Sequence, residues 1–274
     1  MKKNNSRDRF FTVEQTFDVM CLHFAAQSEY FPGMLVDMMN ELWSFLNGPE
    51  KRPSNALVLY PPPGVLSPDL FDKVLAAYGM VGSNVPIRQQ DPMALDAMKE
   101  NFIHEMSAPH RLIEGILRID DFVVAALSGK AVLSLFGLAM ACDLRVVSED
   151  FVLVNRTPYS GFTPLGALPW FLSRILGRAK AWALLAEGKD IDAKQALDLR
   201  LVDRIVPTEQ LKGTSITLAQ LGAARTWTIN ISLKQAMSHV DTSLGQYLEV
   251  EKQLLRSSLT QRSIRSPKEG DPML

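Results

Sequence analysis

Few side chains in this sequence announce chemistry by type alone. The four histidines, His23, His104, His110 and His239, are scattered along 274 residues. His104 and His110 fall in one helical stretch, but helix neighbours lie three or four residues apart, and these two are six apart. Both are read as structural. The two cysteines, Cys21 and Cys142, sit in the apolar strings VMCLHF and AMACDL, as buried free thiols do. Neither a CxxC pair nor a Cys/His spacing suited to a metal occurs. Charge gives no direction either. Lys plus Arg is 29 and Asp plus Glu is 30, for a net charge of −1. Nothing global draws such a chain to nucleic acid or to an anionic membrane. Any reaction must come from groups that the fold brings together.

The elements that would do this can be read from periodicity. The chain is 47% hydrophobic and 22% charged, the balance of a globular protein, and it is long enough to bury a core without disulfides or metal. Its polar start, MKKNNSRDRF, has no apolar stretch behind it, so no secretion signal is expected. No apolar run is long enough to span a bilayer, and the cytoplasm is the expected location. Residues 10–24 hold two short strands. Leu35 to Leu46 has apolar residues at helical spacing and stops at Asn47-Gly48-Pro49. Ala56 to Tyr60 and Phe122 to Leu127 are short apolar runs of buried-strand type. Helices are expected over 68–80, 94–118 with a break near Pro109, 132–141, 165–176 and 178–187. Residues 81–93 and 158–164 read as loops. Further strands are expected at 144–147, 151–154 and 201–206, with a short helix beginning at Asp192. The stretch 208–262 reads as helical, with an apolar stripe of Leu244, Tyr247, Leu248, Leu254, Leu255 and Leu259 on its last helix. Strands alternating with helices, then helices alone, give an α/β class with a helical C-terminal region.

The segment from Val124 to Pro207 carries a resemblance. Ala125-Ala126-Leu127-Ser128-Gly129, followed by Leu138-Ala139-Met140-Ala141-Cys142-Asp143, is similar to a strand, a turn and an "ELALACD" helix. Gly161-Phe162-Thr163-Pro164 resembles a "GxxP" loop, and Leu176-Gly177-Arg178-Ala179-Lys180-Ala181 an "hGrakA" step. Ile191-Asp192-Ala193-Lys194-Gln195-Ala196 and Leu201-Val202-Asp203-Arg204-Ile205-Val206-Pro207 resemble "I.A.eA" and "GLV..VVP". In this order and spacing they resemble the crotonase (enoyl-CoA hydratase/isomerase) superfamily. The resemblance implies a spiral of ββα units over 10–207 and a helical trimerisation region over 208–262; the polar stretches at 1–9 and 263–274 read as flexible tails. It also implies an acyl-CoA thioester or CoA as ligand, no other cofactor, and a homo-oligomer that is a trimer or a dimer of trimers.

The family stabilises an enolate-like oxyanion with two backbone N–H groups, and its hydratases add two glutamates as general acid and base. Set on this sequence, the first donor position is Pro68, which has no N–H. The second is Ser134, in Leu133-Ser134-Leu135 where the family has glycines. The leucines narrow the space that glycines leave. The glutamate positions are Gly137 and Thr157, neither of which carries a useful proton. Near the second, Tyr159 is the candidate proton donor, with a reference pKa of about 10. Lys73, Lys130 and Arg156 are the cations available for CoA phosphates. Lys73 and His239 resemble the lysine and histidine of decarboxylating relatives. Three readings follow. The chain is a divergent member that binds a thioester without two-glutamate hydration. Alternatively it is an active isomerase, thioesterase or decarboxylase with relocated groups, or a non-catalytic oligomeric partner. Binding and catalysis both require an open cleft beside Ser134 and Thr157.

Overall fold

A computed structural model describes residues 10–24, 31–48, 55–60, 67–79, 92–160, 162–224, 232–234 and 243–264. The alternation read from the sequence appears as two sheets that share one spiral. The chain opens on a hairpin, β1 (Phe11–Thr16) and β2 (Val19–Phe24), paired antiparallel. The strands β3 (Ala56–Tyr60), β4 (Phe122–Leu127), β6 (Leu144–Ser148) and β9 (Arg204–Val206) then add in parallel, giving the order β1-β2-β3-β4-β6-β9. The smaller sheet takes β5 (Lys130–Val132), β7 (Val152–Val154) and β8 (Ile191–Asp192). Two successive pairs, β4–β5 and β6–β7, thus give one strand to each sheet before the chain reaches a helix.

Side-chain alternation decides what covers the main sheet. Leu22, Leu57, Leu59, Val123, Ala125 and Leu127 join the core under α1 (Met34–Asn47) and α3 (Pro92–Arg118). Cys21, Ala56, Val58, Val124, Ala126 and Val146 point the other way and pack on α8 (Leu211–Ala223). Burial on both faces is why β3 and β4 read as unbroken apolar runs. Further described helices are α2 (Pro68–Ala77), α4 (Gly137–Met140), α5 (Leu168–Leu176), α6 (Arg178–Glu187), α7 (Ala193–Asp198) and α9 (Ser243–Ile264). The last of these packs along α3. No described helix is long and apolar enough to cross a membrane.

Several boundaries differ from the sequence reading. The expected helix over 132–141 is divided into the end of β5, a 3-10 turn (Leu133–Leu135) and the single turn α4. Two helices expected to begin or end elsewhere are shorter, α2 ending at Ala77 and α5 starting at Leu168. The late start of α5 follows from Ala167, which takes a left-handed φ of 57° and cannot continue a helix backwards. The expected strand over 201–206 is paired only from Arg204, because Leu201 and Val202 turn into the core. The break near Pro109 does not occur. Proline removes one helical hydrogen bond, but Phe102, Ile103, Met106, Leu112, Ile113 and Ile116 bury their side chains on both sides of it. Packing of that face keeps the helix continuous through it. Asp192 does start a helix, as the N-cap of α7, with a reciprocal capping box to Gln195. Both expected tails lie outside the described residues, except that α9 runs on to Ile264; most of the loop at 81–93 also lies outside them.

Candidate active site

The spiral brings the turn after β5 next to the turn before α5. Leu133, Ser134, Leu135, Phe136 and Gly137 are all buried. Ser134 sits in the first turn of a helical segment, where backbone N–H groups have no partner within the helix. Phe136 turns into the core against Phe151, ring centroids 6.2 Å apart. Gly137, the position the resemblance gives to the first glutamate, lies directly under Gly166. A Cβ built on Gly137 would stand 1.7 Å from the Gly166 carbonyl oxygen, and one built on Gly166 would stand 2.4 Å from the Ser134 carbonyl oxygen. Two residues without side chains thus allow the backbones to touch at the position the resemblance gives to the first glutamate. Gly166 itself has φ +69°, a conformation glycine adopts readily.

Thr157, the position the resemblance gives to the second glutamate, opens a 3-10 turn (Thr157–Tyr159) after β7. Its hydroxyl oxygen is buried with no hydrogen-bond partner among the described residues. Its backbone N–H donates to Asn155 Oδ1 at 3.1 Å. Asn155 is buried and itself donates twice, from its amide nitrogen to the Leu184 carbonyl at 2.7 Å and from its backbone N–H to Asp190 at 3.1 Å. Arg156 reaches Asp72 on α2 at 3.4 Å. Phe162 fills the space between α2 and α3, its ring 6.5 Å from Phe71 and 5.6 Å from Phe102.

The remaining candidates are dispersed. Pro68 is the first residue of α2, with Ser67 as N-cap accepting from the Leu70 N–H at 3.1 Å. The loop before it, 61–66, lies outside the described residues, as do His239 and the Tyr159 side chain. Lys73 and Lys130 are exposed on α2 and β5. Cys142 is buried behind α4, and burial, helped by the charge of Asp143, pushes its thiol up to about 12. It lines an apolar cavity of about 40 Å³ with Leu138, Ala139, Met39, Leu42 and Ile116. That cavity, and an open groove of about 440 Å³ between α6 and α7, are both lined without Ser134 or Thr157.

One cluster escaped the sequence reading. Glu251, on the buried face of α9, is fully enclosed, with 0% exposure. One carboxylate oxygen meets His110 Nε2 of α3 at 2.7 Å. The other accepts from the Ala167 N–H at 3.0 Å. Burial and the adjacent Glu251 carboxylate push the Tyr247 phenol upward, so it stays a neutral donor. The sequence did hold a signal: Glu251 falls in line with Leu244, Leu248, Leu255 and Leu259, a charge on an apolar stripe. No group of three or more metal-ligating side chains occurs among the described residues.

Two sheets fed alternately by ββα units, closed by C-terminal helices, define a crotonase-like α/β fold. The comparisons with known proteins agree. Solved structures similar over most of the chain include an enoyl-CoA hydratase from Bacillus halodurans, with a TM-score of 0.71 and 18% identity over 93% of this chain and 97% of that one. Another is a putative enoyl-CoA hydratase from Streptomyces avermitilis, with a TM-score of 0.68 and 17% identity over 93% of this chain and 88% of that one. At such identities the likeness concerns the fold. In sequence, 130 residues are 35% identical to the fatty acid oxidation complex subunit alpha of Shewanella frigidimarina, a stretch covering 46% of this chain and 17% of that much longer one. A putative enoyl-CoA hydratase of Thermus thermophilus is 36% identical over 109 residues, 40% of this chain and 42% of that one. The enoyl-CoA hydratase/isomerase family model matches residues 93–271. The chain belongs to the enoyl-CoA hydratase/isomerase family.

Proposed function

We propose that this chain is a family member that holds an acyl-CoA thioester but does not hydrate enoyl thioesters through two glutamates. One observation carries the reading. The Gly166 carbonyl oxygen lies 1.7 Å from where a Cβ of residue 137 would be, so the first acid is absent and its space is taken by backbone. At the second position Thr157 has no proton to move near neutral pH. What remains for a thioester is the Ser134 N–H, a fixed donor for a carbonyl oxygen, once the Gly166 turn stands back. Relatives carrying the name enoyl-CoA hydratase support the ligand class. Arg156, Lys73 and Lys130 are the cations that would meet CoA phosphates, Arg156 by exchanging its contact with Asp72.

Titration calorimetry with acetyl-CoA and with free CoA, beside a crotonyl-CoA hydration assay, tests this. Thioester binding at micromolar to millimolar ligand without hydration is the expected result. Hydration that disappears on changing Thr157 would overturn it.

A second reading, the oligomeric partner, has its own observation. Val250 and Leu254 lie one turn apart on the outer face of α9, 47% and 48% exposed. An apolar pair on the helix expected to trimerise supports a homo-oligomer formed there. Sedimentation of the full chain, with and without Leu254→Lys, tests it. A monomer at all concentrations would remove this reading.

A further inference from the structure

We propose that α9 is a latch on the Gly166–Ala167 turn: the carboxylate of Glu251 holds that turn against Gly137, and the space beside Gly137 opens only when α9 loosens. The role of that space as a thioester site rests on the function proposed above, but the latch itself rests on geometry.

Three constraints meet at this turn. Ala167 is fully buried and takes a left-handed conformation that residues with a Cβ rarely adopt. Its N–H finds its acceptor in Glu251, at 3.0 Å. The preceding carbonyl, on Gly166, rests on Gly137. A buried N–H must be paired, and a strained residue persists only where its surroundings over-determine it. Moving the turn off Gly137 therefore means breaking the bond to Glu251. The reverse also holds. Glu251 has no access to water, so losing Ala167 leaves a buried carboxylate short of a donor, and α9 must loosen to let solvent reach it.

The helix is suited to this. It is the last described element and packs on α3 through Leu244, Leu248, Leu255 and Leu259, with Glu251 in their middle; Arg256 pairs with Glu100 of α3, and Ser243 accepts from Trp170 and Arg174 of α5. A single helix packed on the outside of the core can open at lower free energy than the whole fold. Coupling between sites is reciprocal, so a ligand that needs the turn withdrawn must also loosen α9.

Amide hydrogen exchange on the full chain reads the latch directly. Leu259→Ala weakens α9 eight residues, or about 12 Å of helix, beyond Glu251. Exchange at residues 165–168 should then rise about tenfold together with α9, while the β4 amides keep their protection. Acceleration of α9 alone, or of the turn only in step with β4, would refute the proposal. Glu251→Ala should raise exchange in the turn about ten- to a hundredfold, the loss of a charge-assisted bond. Glu251→Gln keeps an acceptor and should stay near the native rate. If Glu251→Ala does not fold, the Leu259→Ala result decides. Where the turn responds, acetyl-CoA should bind Leu259→Ala more tightly than the native chain. Absence of binding to either protein would remove the thioester reading and leave the latch standing on the exchange data.

Discussion

Adding one methyl group at Gly137 is the sharpest perturbation the structure offers. The new Cβ would sit 1.7 Å from the Gly166 oxygen, whereas ordinary contact begins at 3.4 Å. The turn must retreat by roughly the difference, and overpacking that displaces backbone costs about 1–3 kcal/mol. A retreat of that size also stretches the Ala167 N–H bond to Glu251, worth about 1.5–3 kcal/mol because the acceptor is charged. Together these place Gly137→Ala at about 2.5–6 kcal/mol, or a fall in Tm of roughly 5–24 °C for a chain of this size. Thermal unfolding followed by circular dichroism measures it. Gly137→Glu, which restores the family's acid in name, should be less stable still and should gain no crotonyl-CoA hydration. A Gly137→Ala protein melting within about a degree or two of the native one would refute the contact. Hydration by Gly137→Glu would refute the conclusion drawn from it.

Three other predictions can be checked with purified protein. Burial raises the Cys142 pKa from 9.0 to about 12 in the fold, so its contribution to stability is complete below about pH 9 and is lost as pH climbs towards 12; the alkaline decline in chemical stability should be shallower in Cys142→Ala, and an equal slope would refute the assignment. Ala125→Val grows into the apolar cavity behind α4 and should stabilise by up to about 1.5 kcal/mol, seen as a higher denaturant midpoint; a lower midpoint would mean that the cavity cannot accept the branch. Asn155→Ala removes the side-chain bonds to Leu184 and Thr157 and should cost about 3 kcal/mol, with a matching drop in Tm; an unchanged Tm would show that Thr157 is held by other groups.

Local features of the fold were legible in the sequence, and features made by distant partners were not. ALVLY and FVVAAL read as strands because burial on both faces leaves no polar residue to confuse the pattern. Asp192 read as a helix start because its capping partner, Gln195, is three residues away. By contrast, β8 has two residues and offers no periodicity. The helix over 94–118 was expected to break at Pro109, because a local rule cannot see the side chains that hold the axis. At the site, motif order alone assigns the roles of Ser134, Gly137 and Thr157. What could not be foreseen is that a carbonyl from Gly166 fills the space at Gly137. Glu251 was missed for the same reason, since its partners lie 84 and 141 positions away in the chain.

The start of α1 has a consequence for how the chain is made. Gly33 offers no capping side chain. The carboxylate of Glu105 does the work instead, accepting from the Gly33 and Leu35 N–H groups at 2.8 and 2.7 Å. That residue leaves the ribosome about seventy positions later, several seconds at ordinary elongation rates of about 5–20 residues per second. During that interval the first turn of α1 lacks its acceptor, and Met34, Leu35, Met38 and Leu42 have no α3 to pack against. Until Glu105 arrives, α1 therefore lacks both the acceptor for its first turn and the helix it packs on, and the arrival of Glu105 is the event that lets α1 settle.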